Sequence, residues 1–147
     1  MDMTILVGAA LTCALGGVAP WINSEVAVVG ASLALPRSAW PALLLACAVA
    51  QMTSKGLVYG AARWSPARLP RRARKALERA ERYRGRRGLL VLGLASGSLL
   101  GLPPLYLVAL ASGVLRMSLP LFLAVGLAGT AARYALLVWL TSIVSVF

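Results

Sequence analysis

The chain has 147 residues, of which 60% are hydrophobic and only 13% are charged, and its mean hydropathy is +0.82. Soluble domains are about 45–50% apolar and about 25% charged, so this composition argues against a soluble globule. The net charge of +11 comes mainly from residues 63–87, which hold eleven of the fifteen cationic residues. Because apolar sequence flanks this basic stretch, we expect membrane lipids as partners there and no nucleic acid.

The first half, residues 3–62, begins with an apolar segment over residues 3–19, which is at the short end for a spanning helix. Pro20 interrupts it, and an apolar arm of 11 residues follows at residues 25–35. Segments of that length more often re-enter the membrane or lie at its interface than cross it. Residues 41–62 are long enough to span. We therefore predict a re-entrant hairpin followed by a spanning helix.

Residues 63–87, here called the basic connector, show apolar residues at spacings of three and four, which places them on one helical face. Arginines fill the other faces. This pattern predicts a surface-lying amphipathic helix with its apolar side in lipid, and the alternative is a solvated charged loop. The residues of the predicted apolar face are Leu69, Ala73, Ala76, Leu77, Ala80 and Tyr83.

The second half, residues 88–147, repeats the order of the first: an apolar arm, a break at residues 101–104, a short arm at residues 105–115 and a long helix from residue 118. With an offset of 80 residues, seven positions between residues 28 and 48 are identical. Two such halves, each with an odd number of crossings, would form inverted repeats. The identical positions are Val28, Ala31, Ser32, Leu35, Ser38, Leu43 and Ala48, which match Val108, Ala111, Ser112, Leu115, Ser118, Leu123 and Ala128.

Glu25 is the only carboxylate outside the basic connector and the extreme N-terminus. A charged side chain at membrane depth costs about 2.5–3.5 kcal/mol on insertion scales, so such acids usually have a partner or a function. We interpret Glu25 as a titratable group of a substrate or proton site. The alternative is a structural acid that the helix dipole stabilises in the first turn.

Four cationic residues outside the connector complete the candidate substrate or proton site. Lys55 could pair with Glu25, bind an anionic headgroup or snorkel to the interface. Arg133 has about fourteen mostly apolar residues on either side, so we expect it to face the protein interior or water. Arg37 and Arg116 follow the two short arms at matched positions, where each either holds its turn at the headgroup layer or binds substrate.

The hairpin turns and arm N-termini are predicted at Pro20, Ser24, Pro103 and Pro104, because proline favours the first helical turn and serine favours the cap. Helix N-termini that point into a membrane bind anions, phosphate especially. The chain contains no histidine and one membrane carboxylate. We therefore expect no enzyme activity, no metal site and no cofactor.

Residues 20–139 resemble the DedA/VTT (SNARE-associated Golgi protein) superfamily, in particular its small YqaA-like members. In the first half the similarity lies in Glu25 after a proline-containing turn, then Gly56, Tyr59-Gly60 and Arg63. In the second half it lies in Gly101-Leu-Pro-Pro104, Ala111-Ser-Gly113, Arg116-Met117, Phe122 and Ala132-Arg133-Tyr134.

The resemblance implies two opposed re-entrant hairpins and the flipping or scrambling of lipids, either undecaprenyl phosphate or phospholipid. It also implies that Glu25 matches the membrane acid of the first hairpin. The chain lacks the second acid of that hairpin and has no arginine within residues 102–106. Arg116, Arg133 or Lys55 would then have to bind the lipid phosphate.

The sequence as a whole predicts one all-α integral membrane domain over residues 1–147, with two inverted repeats joined by the connector. Each repeat comprises a re-entrant hairpin and a spanning helix. We expect a lipid flippase or scramblase of the prokaryotic plasma (inner) membrane, with a cytoplasmic connector and possible homo-oligomers. The alternatives are a proton-coupled antiporter for small ions or solutes, and a non-transporting structural subunit.

Overall fold

The computed structural model describes residues 2–19, 21–82, 85–101 and 104–144, and their regular structure is helical throughout. This confirms the all-α prediction for the described residues. Two short 3₁₀-helices, Arg37–Ala39 and Pro66–Arg68, precede α3 and α4. The α-helices are α1 (Met3–Val18), α2 (Ser24–Ala34), α3 (Trp40–Trp64), α4 (Arg71–Glu81), α5 (Arg87–Leu100), α6 (Leu105–Val114) and α7 (Leu119–Val144).

The order of helix lengths repeats on either side of α4. The first half has helices of 16, 11 and 25 residues, and the second half has helices of 14, 10 and 26 residues. In each half, a break separates the first two helices, and a turn that carries an arginine precedes the long helix. The predicted order of elements therefore holds, while the inversion of the two halves stays a prediction.

The helix boundaries have local causes in the sequence. The Asn23 side chain accepts a hydrogen bond from the backbone N–H of Glu25 at 3.0 Å and caps α2, so Ser24 is the first helical residue rather than the cap. Helix α5 ends at Gly101, whose φ of 76° is left-handed, a conformation that glycine adopts without strain. Pro104 is the N-cap residue of α6. Pro20 and Pro103 lie outside the described residues.

Helix α4 lies in the middle of the connector, and its charged side chains are exposed. Of the predicted apolar face, Leu69 is half-buried and packs near Ala62 and Leu110. The remaining side chains of that face lie outside the part of the chain that the structure describes. The lipid-facing role of the connector therefore stays a prediction.

The chain folds into two compact units. The first comprises Met1–Ser54 with Thr130–Phe147, and the second comprises Lys55–Gly129. Helices α3 and α7 each contribute one end to each unit. Within the first unit α1 packs on α2, and within the second unit α4 and α5 pack on α6.

Two helices, Arg37–Trp64 and Leu119–Val144, are long and apolar enough to cross a membrane. Only 28% of the most apolar window of Leu119–Val144 is buried, whereas the core helix of a soluble protein is mostly buried. Large apolar side chains are exposed on the shorter helices too, which soluble monomers avoid over wide areas. Examples are Leu11, Leu15, Val26, Leu33, Leu92 and Leu100.

Candidate functional site

Glu25 and Arg133 form an ion pair in the first unit, between Oε1 of the carboxylate and Nη2 of the guanidinium. Glu25 is the only charged residue of α2, and Arg133 is the only charged residue of α7. Their side chains are 34% and 27% exposed, so the pair is neither fully buried nor freely solvated. Each charge therefore has an opposite partner on a helix that is otherwise uncharged.

The pairing changes the interpretation of both residues. Glu25 does lie in the first turn of α2, where the helix dipole favours a carboxylate, and it also binds Arg133. The sequence predicted that Arg133 avoids lipid, and a bound carboxylate gives it a protein partner. Because the two charges cancel, the pair lowers the cost of placing either one at membrane depth.

A hydrogen-bonded ring lies beside the ion pair and joins Ser24, Gln51 and Tyr134; it is called the polar ring below. The Tyr134 hydroxyl donates to Oε1 of Gln51 at 2.6 Å, and Nε2 of Gln51 donates to the Ser24 hydroxyl at 2.9 Å. The two hydroxyl oxygens lie 3.1 Å apart. A tyrosine hydroxyl has one proton, so the Ser24 hydroxyl donates in the third bond and the ring closes.

Residues adjacent in the chain take part in the ion pair and in the polar ring. On α2, Ser24 belongs to the polar ring and the next residue, Glu25, belongs to the ion pair. On α7, Arg133 belongs to the ion pair and the next residue, Tyr134, belongs to the polar ring. Gln51 lies on α3 and bonds to Ser24 of α2 and to Tyr134 of α7, so it connects α3 to both helices. Polar side chains thus fix the relative positions of three helix segments within the first unit.

The core under the polar ring is tightly packed. The Cys13 thiol lies 3.8 Å from the Ser24 carbonyl oxygen, and both Cys13 and Cys47 are buried. A methyl group at Gly17 would lie 2.6 Å from the Ser54 Cβ and 2.8 Å from the Gln51 carbonyl oxygen. Glycine is therefore required where α1 meets α3 next to the ring.

Tyr134→Phe should lower the free energy of unfolding by about 1–3 kcal/mol, because Gln51 and Ser24 lose a buried partner while the ring shape is kept. Tyr106→Phe is the matched control, since that half-buried hydroxyl has no hydrogen bond with the described residues. Thermal unfolding of both variants in detergent measures the difference. Equal melting temperatures for the two would contradict a structural role for the polar ring.

The second unit has a polar contact of its own. Nη1 of Arg63 donates to the Tyr59 hydroxyl and, at 3.2 Å, to the Met117 carbonyl oxygen, which also accepts from Tyr59. The Tyr59 ring stacks on Phe122 with centroids 5.0 Å apart. From the sequence, Arg63 is placed at the start of the connector and among the residues of the family resemblance, and it is not assigned to a site.

The other predicted site residues have separate surroundings. Lys55 is 4% exposed, which argues against snorkelling, because a snorkelling lysine keeps its ammonium group in water. Arg37 is exposed, and its guanidinium carbon lies 5.6 Å from the Trp40 ring centroid, a cation–π contact that favours the turn-holding interpretation. Arg116 is exposed as well and lines a cleft with Arg63.

Comparison of the chain with family models, with curated proteins and with solved structures found no match. The described residues contain no group of three or more His, Cys, Asp or Glu side chains that could hold a metal ion.

The sequence singled out Glu25 and Arg133 separately, and the structure brings them together. It missed Gln51 and Tyr134 as partners of Ser24. The available signal was their position in long apolar segments, where uncharged polar side chains need hydrogen-bond partners inside the protein.

Proposed function

We propose that this chain is an integral membrane transporter of the flippase or scramblase type, which moves a phosphate-bearing lipid between leaflets. The observation that carries the proposal is the ion pair between Glu25 and Arg133. It joins the single charged residue of α2 to the single charged residue of α7. Intramembrane ionisable residues that pair with one another mark transport pathways more often than structural cores.

The ion pair suits an anionic substrate on physical grounds. A bare phosphate in hydrocarbon is prohibitively costly, so the headgroup needs a cation and a hydrogen-bonded path while its tail stays in lipid. Arg133 offers a guanidinium that binds a phosphate with paired hydrogen bonds. Glu25 competes for the same guanidinium, and its protonation would release Arg133 to the substrate.

The scaffold fits this role. Helices α1 and α2 pack together in the first unit, and α5 and α6 pack together in the second. These helices have 16, 11, 14 and 10 residues, shorter than the roughly 20 that a spanning helix needs. In the proposal both pairs are re-entrant hairpins of inverted repeats, α3 and α7 span, and the connector lies on the cytoplasmic side of a prokaryotic plasma membrane.

The same features agree with the proposed relationship to the DedA/VTT superfamily, with undecaprenyl phosphate or a phospholipid as the cargo. A proton-coupled antiporter for small ions would use the same ion pair. Such an antiporter would differ from a flippase in moving a solute that has no lipid tail. A structural subunit would keep the pair without moving any solute.

The test is reconstitution of the purified protein into vesicles that carry a fluorescent phospholipid in both leaflets. A membrane-impermeant reductant bleaches the outer leaflet, and further bleaching measures lipid that has crossed. We expect the protein to expose inner-leaflet probe that protein-free vesicles protect. A parallel assay follows undecaprenyl phosphate, and a protein that moves neither lipid would overturn the proposal.

A further inference from the structure

The second unit contains a cleft of about 410 Å³ that combines two guanidinium groups with apolar walls; it is called the arginine cleft below. Its polar lining includes Arg63, Arg116 and Ser118, and its apolar lining includes Leu90, Val91 and Leu121. Thus α5, the end of α3 and the start of α7 meet there around the turn that follows α6. No carboxylate is among the described lining residues, so the two positive charges are not neutralised within the lining.

The backbone at Arg116 has a left-handed conformation that favours glycine. The Met117 N–H bonds to the Ser112 carbonyl oxygen at 2.9 Å, and the Arg116 N–H bonds to the Gly113 carbonyl oxygen at 3.1 Å. These bonds form a Schellman motif, whose left-handed residue is usually glycine. Arg116 occupies it with a φ of 54°. The chain therefore places a guanidinium where backbone conformation favours no side chain.

Arg63 lines the cleft and is held through Nη1, while its other donors have no hydrogen-bond partner among the described residues. Among the described residues, its hydrogen bonds all start from Nη1 and go to Tyr59 and the Met117 carbonyl oxygen. A guanidinium has five N–H donors, so Nε and Nη2 are left for a ligand. The Met117 carbonyl oxygen directly follows Arg116 in the chain, which ties the two arginines to one turn.

We propose that the arginine cleft binds a phosphate monoester, with Arg63 and Arg116 on its oxygens and the apolar wall against the group esterified to it. Two guanidinium groups match the charge of a phosphate dianion, and planar donor pairs match its geometry. This inference rests on the proposed function, because it assigns the headgroup-docking site of the same lipid. A lipid phosphate is the ligand that also uses Leu90, Val91 and Leu121.

The test is calorimetric titration of the purified full chain in nonionic detergent with dioctanoyl phosphatidic acid. Arg116→Gly removes the guanidinium and suits the left-handed backbone, so its melting temperature should equal or exceed that of the unmodified protein. We expect it to weaken binding about tenfold or more. Arg37→Gln is the matched control, because it removes one exposed charge at the corresponding turn of the other half.

Two further titrations separate the sources of the phosphate. Dioctanoylglycerol has the same chains without phosphate and should not bind, and inorganic phosphate should bind more weakly than phosphatidic acid. Inorganic phosphate that binds as tightly as the lipid would overturn the lipid assignment. Equal affinity of Arg116→Gly and the unmodified protein, or an equal loss for Arg37→Gln, would overturn the cleft.

These results are independent of the vesicle assay. Lipid movement without Arg116-dependent binding would refute the arginine cleft and leave the proposed transport standing. Arg116-dependent binding without lipid movement would refute transport and retain a headgroup site.

Discussion

Glu25→Gln should reduce lipid movement in the vesicle assay by about tenfold or more, and Arg133→Gln should do the same. The first change leaves Arg133 permanently without its carboxylate, and the second removes the only guanidinium of α7. Each single change should also lower the free energy of unfolding by about 1–3 kcal/mol. That range lies between the values for exposed and buried ion pairs, since both side chains are about one third exposed.

The double variant, Glu25→Gln with Arg133→Gln, separates function from structure. It removes both charges, so no charge is left without its partner, and the melting temperature should recover most of what either single change loses. Lipid movement should not recover. Glu81→Gln, an exposed acid on α4, controls for the loss of one carboxylate. A double variant that moves lipid like the unmodified protein would show that the ion pair is only structural.

Gly113→Ala should destabilise the second unit by about 3 kcal/mol, at the upper end of overpacking effects. A methyl group there would collide with the Tyr59 carbonyl oxygen, lie 2.9 Å from the Ala62 Cβ and 3.2 Å from the Arg63 backbone nitrogen. Two of these atoms belong to the α3 backbone, which cannot rotate away as a side chain would. Helix α6 therefore approaches α3 more closely than any residue with a Cβ permits.

Gly93→Ala is the matched control within the same unit. It lies in α5, and a Cβ at this position would meet nothing within 4 Å. Alanine is favoured over glycine in a helix by about 1 kcal/mol, so this change should raise the melting temperature. Thermal unfolding in detergent, followed by circular dichroism, should shift in opposite directions for the two variants. Shifts of the same sign and size would contradict the close approach at Gly113.

Much of the helical order was predictable because breakers interrupt the apolar segments. The prolines and polar residues near positions 20–24, 36–37 and 101–104 separate helices whose lengths then follow from the sequence. The start of α4 was less accurate. The connector was predicted as one amphipathic helix within residues 63–87, whereas Pro66–Arg68 forms a separate 3₁₀ turn and α4 begins at Arg71. A proline suits the first turn of either kind of helix, so the pattern does not separate them.

The charged residues of the site were predictable one by one, because a charge in an apolar segment stands out. Their pairing was not, since 108 residues separate Glu25 from Arg133 and nothing local connects them. Gln51 and Tyr134 were overlooked as hydrogen-bond partners because an uncharged polar residue in the middle of an apolar helix stands out less than a charged one. Arg63 was assigned to the connector, since it begins the run of cations.

Cys13 and Cys47 are both 0% exposed, so thiol-reactive reagents should not label the unmodified protein. A cysteine introduced by Ser38→Cys or Ser118→Cys would then be the one accessible sulfhydryl among the described residues, at an exposed position one residue after Arg37 or two residues after Arg116. Maleimide labelling from either face of sealed vesicles would then report the topology directly, and the native cysteines would not have to be replaced first.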